Sequence, residues 1–202
     1  MVSLPDFNKA FQDGAVLSDG STVERRAIGD VIVSSGRLVA CDPAFAEEPP
    51  FIVALKPGHY PVILSIVNRK NDKRVACAML QATEAAPHSW QPALREGDKP
   101  NSQPAYGVDS ALGSFMDAQT AIIWRQRADD QHFVDETTEQ MHSGYGDSCS
   151  WGNILINPGL SAVLFSSGYG DGFYRSYWGY AADGEVACLV TDFGLLKPSV
   201  EL

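Results

Sequence analysis

The densest group of residues able to do chemistry lies in SSGYGDGFYRSYWG, residues 166–179, where Gly168, Gly170 and Gly172 alternate with Tyr169 and Asp171 between two apolar runs. Glycine permits close backbone approach and positive φ, so Tyr169, Gly170, Asp171 and Gly172 could present amides to an anion with a carboxylate alongside. The same pattern serves equally well as a tight connection carrying a bulge. It matches neither the phosphate-binding loop, which requires G-x-x-x-x-G-K-[ST], nor the dinucleotide fingerprint ahead of a helix.

A second group, YGVDSALGSFMD at residues 106–117, sets Asp109, Ser110, Ser114 and Asp117 among small residues at a strand-to-helix junction. Carboxylates and hydroxyls there suit metal or phosphate chemistry, while the plainer reading makes Asp109 and Ser110 a turn and Asp117 a helix cap. A third group is PGHYPV, residues 57–62, in which His59 sits in a bend just before a strand. A loop histidine can act as a base because its charge changes near neutral pH, although most simply bond backbone. Asp192 shares a strand face with Val186, Cys188 and Val190, which makes it either an exposed strand end or a buried carboxylate in need of a partner.

Standard catalytic signatures are missing: the chain has no G-x-S-x-G elbow and no H-E-x-x-H. Cys41, Cys77, Cys149 and Cys188 form no C-x-x-C pair and have no histidine at metal-ligand spacing, so no metal and no cofactor is expected. Three of the four lie in apolar strand contexts, where a thiol behaves as a small buried hydrophobe. Cys149, in GDSCSWG, is the one whose setting predicts exposure.

The elements that must position these residues are mainly strands. TVERRAIGDVIV and RLVACD, separated by SSG, read as a first hairpin, and GHYPVILSIV with RVACAML around NRKNDK as a second. The proline-rich DPAFAEEPPF is a loop. Residues 83–104, with four prolines, read as a flap or as a segment with a short helix over Trp90–Arg95. Residues 1–21 are expected to be irregular, with one helical turn near Phe7–Phe11. Helices are predicted over Asp117–Arg127 and Gln131–His142, the second ended by Gly144 and carrying a solvated acidic surface of Asp135, Glu136 and Glu139. Asp183-Gly184, between two apolar and aromatic runs, marks a hairpin whose two turn positions could both take positive φ and which belongs in the centre of its sheet. The sum is one α+β domain: a mostly antiparallel twisted sheet of six to nine strands, with one or two helices inserted centrally.

With 25 acidic against 15 basic residues the net charge is -10, a field that repels nucleic acid and anionic membranes and attracts a basic protein. The start MVSLPDFNKAF lacks the apolar stretch of a signal peptide, and the longest apolar runs are strand-length, so a cytoplasmic chain with no membrane segment is expected.

Taken together and in order, PGHYPV, RVACAML, GVDSALGSFMD, SSGYGDGFYRSYWGYAADGE and LVTDFG resemble the bacterial domain-of-unknown-function family numbered 4241, over about residues 57–194. That resemblance implies a cytoplasmic bacterial protein and carries over no catalytic residue. By analogy with accessory proteins beside secreted toxins, the leading expectation is a non-enzymatic protein-binding module such as an immunity protein for a basic toxin. Its contact surface would be the helix at 131–142 and the loop at 83–104. The rival is a small hydrolase or ligand-binding enzyme whose pocket gathers His59, Asp109, Ser110, Asp117, Tyr169, Asp171 and Asp192. A structural assembly subunit is the third alternative, and the oligomeric state stays open.

Overall fold

The computed structural model describes residues 4–142 and 148–198. In chain order the elements are α1 (Phe7–Ala10), β1 (Thr22–Val33), β2 (Leu38–Cys41), β3 (Gly58–Arg69), β4 (Asp72–Gln81), β5 (Ser89–Pro92), β6 (Ala105–Val108), β7 (Leu112–Asp117), α2 (Ala118–Gln126), α3 (Gln131–His142), β8 (Trp151–Asn157), β9 (Leu160–Ser166), β10 (Gly172–Tyr180) and β11 (Val186–Asp192). The fold is α+β and mostly antiparallel, as expected, but its strands form two sheets rather than one. The larger is seven-stranded in the order β1-β3-β4-β11-β10-β5, with β6 also pairing β10; the smaller is four-stranded, β2-β7-β9-β8.

Two apolar layers follow from this arrangement. Between the sheets lie Val31, Val33, Leu64, Phe115, Phe165 and Trp178, all essentially inaccessible. Beyond the smaller sheet, Met116, Ile154 and Leu164 meet Trp124 of α2 with Phe133 and Met141 of α3. Strands buried on both faces carry continuous apolar runs instead of alternation, which is why SAVLFS and VACLV read as they do. On the outer face of the larger sheet Phe7 of α1 packs edge-on to Trp90 at 4.9 Å between ring centres, and beside Tyr177. Asp6 caps that single turn through the Lys9 amide.

The β3–β4 hairpin and the β10–β11 hairpin form as the sequence predicts, and the latter is central, flanked by β4 on one side and by β5 and β6 on the other. Its turn is wider than a two-residue connection: the Ala181 amide donates to the Glu185 carbonyl, and only Gly184 takes positive φ, at 86°. Asp183 instead accepts the Glu185 amide in its side chain.

The first predicted hairpin does not exist. β1 pairs β3, whereas β2 crosses to the other sheet and pairs β7 from Leu38↔Asp117 to Cys41↔Ser114. The cause is Asp117, whose Oδ2 accepts the Ser35 amide at 2.8 Å and the Ser35 hydroxyl at 2.7 Å, holding the SSG turn against the end of β7. Gly36, at φ 77°, completes that turn where a Cβ would stand 2.7 Å from the Leu55 carbonyl oxygen.

The short helix near Trp90–Arg95, one of the two alternatives for residues 83–104, is absent. Residues 89–92 form β5, paired with β10 so that Trp90 faces Gly179. The indole occupies the space a side chain at 179 would need, 2.8 Å from an ideal Cβ there. The rest of residues 83–104 is tied down rather than free: Ala93 donates to the Ser176 carbonyl, and Arg95 pairs with Glu48 and Asp98. Both central helices are present, with Asp117 accepting the Gln119 amide as the cap of α2. The predicted stop at Gly144 lies outside the described residues. Among the described residues no helix is long and apolar enough to cross a membrane.

Candidate functional site

The residue that organises the strand-to-helix junction is Asp42, which sequence reasoning passed over. It is buried at the end of β2, and its carboxylate accepts four hydrogen bonds. Oδ1 takes the Ala44 amide at 2.8 Å and the Ser110 hydroxyl at 2.6 Å; Oδ2 takes the amides of Asp109 at 2.8 Å and Ser110 at 2.9 Å. A desolvated carboxylate is tolerated when its lone pairs are filled in this way. Asp42 thereby ties the Pro43–Ala46 turn to the Asp109–Ala111 turn, and each ends on an alanine at positive φ, Ala46 at 49° and Ala111 at 58°.

The glycine loop lies against the second of these turns. The Ser167 amide donates to the Ala111 carbonyl, and the Gly170 amide is taken by the Ser167 carbonyl. Tyr174 closes the loop from below, its hydroxyl donating to the Gly170 carbonyl at 2.6 Å. The Gly170 amide is thus committed within the protein, and the loop is built as a tight connection. Tyr169 is exposed yet held, with the Arg74 guanidinium 4.8 Å from its ring centre and Arg69 donating to its hydroxyl at 2.7 Å. Because Val108 and Gly172 are partners in the antiparallel ladder, Asp109 and Asp171 leave it at the same end, both exposed.

The remaining sequence-selected residues do not join them. Asp117 is fully buried and spent on Ser35 and Gln119. Asp192 sits on the outer face beside Cys77, where burial raises its carboxyl above the ordinary range against the opposing pull of the Gly194 amide. His59 is exposed in β3, six residues along from Ser65, the partner of Cys77. At the rise of an extended strand that spacing puts it about 20 Å from the Asp192 end. The seven residues of the supposed enzyme pocket therefore fall into separate places as a cap, a strand end and turns; only Asp109, Ser110, Tyr169 and Asp171 share a neighbourhood. Among the described residues no group of three His, Cys, Asp or Glu is placed to hold a metal ion.

Cys149 is buried like the other three cysteines, contrary to the exposure expected from its polar neighbours. Burial pushes its thiol up to about 11, and those of Cys41 and Cys188 up to about 12. Burial therefore disfavours a thiolate at neutral pH at these three positions.

The concavity nearest the Asp42 junction lies between the Pro43–Ala44 turn and the two central helices. It has a volume of about 160 Å³, and its walls are Pro43, Ala44, Leu112, Trp124, Phe133 and Val134, with Ser110, Thr137 and Thr138 at its edges. Trp124 is fixed there by its indole N–H, which donates to the Pro43 carbonyl at 2.7 Å, and by an edge-on contact with Phe133 at 4.9 Å. Arg127 lies over the far face of Phe133, 4.1 Å from the ring centre, and pairs with Asp130. Sequence reading missed this groove because its walls come from three segments, none bearing a recognisable motif.

Charge is one-signed along the part of the sequence that holds α3, β8, β9 and the glycine loop. From Ala128 to Tyr174 there is no lysine or arginine and there are seven carboxylates, including the exposed Asp135, Glu136 and Glu139 of α3 and Asp171 of the glycine loop.

No curated protein matches the chain, and no solved structure does. A family model described as "Protein of unknown function (DUF4241)" matches residues 31–191, a span running from β1 to β11 that takes in the Asp42 junction, the groove and the glycine loop. The chain belongs to the DUF4241 family.

Proposed function

We propose that this chain is a non-enzymatic protein-binding module of the bacterial cytoplasm that captures a basic partner protein, as an immunity protein captures a secreted toxin. The observation that carries this reading is the segregation of charge: seven of the 25 acidic residues, with no lysine or arginine among them, fall within residues 128–174. The exposed Asp135, Glu136 and Glu139 of α3 within this stretch attract a basic partner and speed encounter. The net charge of -10 argues against nucleic acid as the ligand. The dispersal of His59, Asp117 and Asp192 away from the Asp109 turn weighs against the hydrolase reading.

The test is calorimetric mixing of the full chain with each purified protein encoded beside its gene. A stoichiometric complex with a basic neighbour, weakened by raising the salt concentration, is the expected result. Failure of every neighbour to bind would sink the reading.

A further inference from the structure

We propose that the groove between α2, α3 and the Pro43–Ala44 turn receives one apolar side chain from a lysine- or arginine-rich segment of a partner protein; this rests on the protein-binding reading and names its contact site. The groove's capacity sets the anchor. A volume of about 160 Å³ matches one branched aliphatic or aromatic side chain, since a cavity of roughly 150 Å³ lined by Leu, Ile and Phe admits benzene. Its floor is rigid, because Trp124 is bonded to the Pro43 carbonyl and stacked edge-on against Phe133. Its lip is apolar and accessible, with Val134 39% exposed.

The charge around the groove selects the residues flanking that anchor. At 100° per residue, Asp135 and Glu139 stand one step further round α3 from Val134 and Thr138, and both are exposed. Across the groove, Ser110 is followed outward by the exposed Asp109, at the ladder end shared with Asp171. An apolar slot with carboxylates on both sides is complementary to a segment with cations either side of a single hydrophobe. Arg127, the nearest cation of α2, is engaged by Asp130 and Phe133 and does not reverse the sign.

The proposal is tested with two amidated seven-residue peptides of lysine, one with phenylalanine and one with alanine at the centre, titrated into the full chain by calorimetry and by amide chemical-shift mapping. The phenylalanine peptide should bind about tenfold more tightly, as expected for burying a large apolar side chain. Its shifts should centre on Ser110, Thr137 and Thr138. Ala44→Trp, at an exposed position on one wall, should abolish the preference for phenylalanine. Thr138→Trp, on the opposite wall, should do the same and serves if the first variant folds poorly. Asp135→Asn with Glu139→Asn should weaken both peptides alike, by about threefold each. Equal affinity of the two peptides, a preference that survives both tryptophan variants, or shifts centred elsewhere would overturn the proposal. A neighbour-encoded protein that binds the natural chain and Ala44→Trp equally also removes the groove while leaving the protein-binding reading intact. A groove that selects phenylalanine while no neighbour binds does the reverse.

Discussion

Ser110 is bound to Asp42 twice, its hydroxyl to Oδ1 at 2.6 Å and its amide to Oδ2 at 2.9 Å, across 68 positions of sequence. The pair joins the end of a strand in the smaller sheet to the turn that leads out of the larger one. Both partners are needed to hold Ala44 and Ser110, which line the groove, beside one another.

Replacing Asp42 with Asn leaves one oxygen to accept and turns an NH2 toward donors. Hydrogen bonds to a charged acceptor contribute about 1.5–3 kcal/mol each, so a loss of about 2–4 kcal/mol is expected. Urea unfolding measures it, and an unchanged midpoint would show that Asp42 does not hold the two turns. Ser110→Ala removes only the hydroxyl bond to the carboxylate and should cost about 1.5–3 kcal/mol.

The four buried thiols should be inert in the folded chain. With thiol reagent at pH 8 no fast-reacting group is expected, and all four should react in denaturant. Rapid native labelling of Cys149, whose pKa is raised to about 11 by burial, would contradict its placement.

Asp192 and Glu24 should respond to pH in opposite directions. The Asp192 carboxyl is raised in the folded chain, chiefly by burial, so folding binds its proton more tightly than the unfolded chain does. Stability from this group is greatest in acid and falls as pH rises from the ordinary carboxylate range through the folded value. Asp192→Asn should therefore raise the melting temperature at pH 7 and leave it unchanged near pH 3. Glu24 is lowered by its bond to Arg26, with burial opposing and Lys73 assisting. Its contribution is present above the unfolded value and disappears as pH falls through the folded one. Glu24→Gln should lower the melting temperature at pH 7 and converge with the parent in acid. Parallel shifts of the two variants with pH would refute the assignment.

Gly36→Ala adds a Cβ 2.7 Å from a backbone oxygen at a position with φ 77°. A cost of about 1–3 kcal/mol is expected, without change in the denaturant slope. An Ala variant as stable as the parent would mean that the turn before β2 is not constrained as described.

What could be read from the sequence was what is decided locally. The Asp183-Gly184 and NRKNDK turns join strands that pair with each other, and Asp117 caps the helix immediately after it. RLVAC reads as a strand, yet its partner is β7, more than 70 residues away, and nothing near SSG tells the chain to leave β1. Asp42 went unremarked for the same reason, since a carboxylate before a proline acquires meaning only when Asp109 and Ser110 arrive. Cys149 misled because a polar run can still be folded beneath its neighbours; Ser150 and Ser166, bonded to each other, take up the polarity around it.

The crossing of β2 into the smaller sheet also governs how the chain can assemble. Strands of the smaller sheet come from residues 38–41, 112–117, 151–157 and 160–166, interleaved with those of the larger one. A cut anywhere between β2 and β9 leaves neither sheet with all its strands, and β2 must wait for β7 before it has a partner. Non-local pairing of this kind slows folding relative to helical proteins of similar size. Fragments split near residue 100 are therefore expected to stay unfolded apart and to regain structure only when mixed.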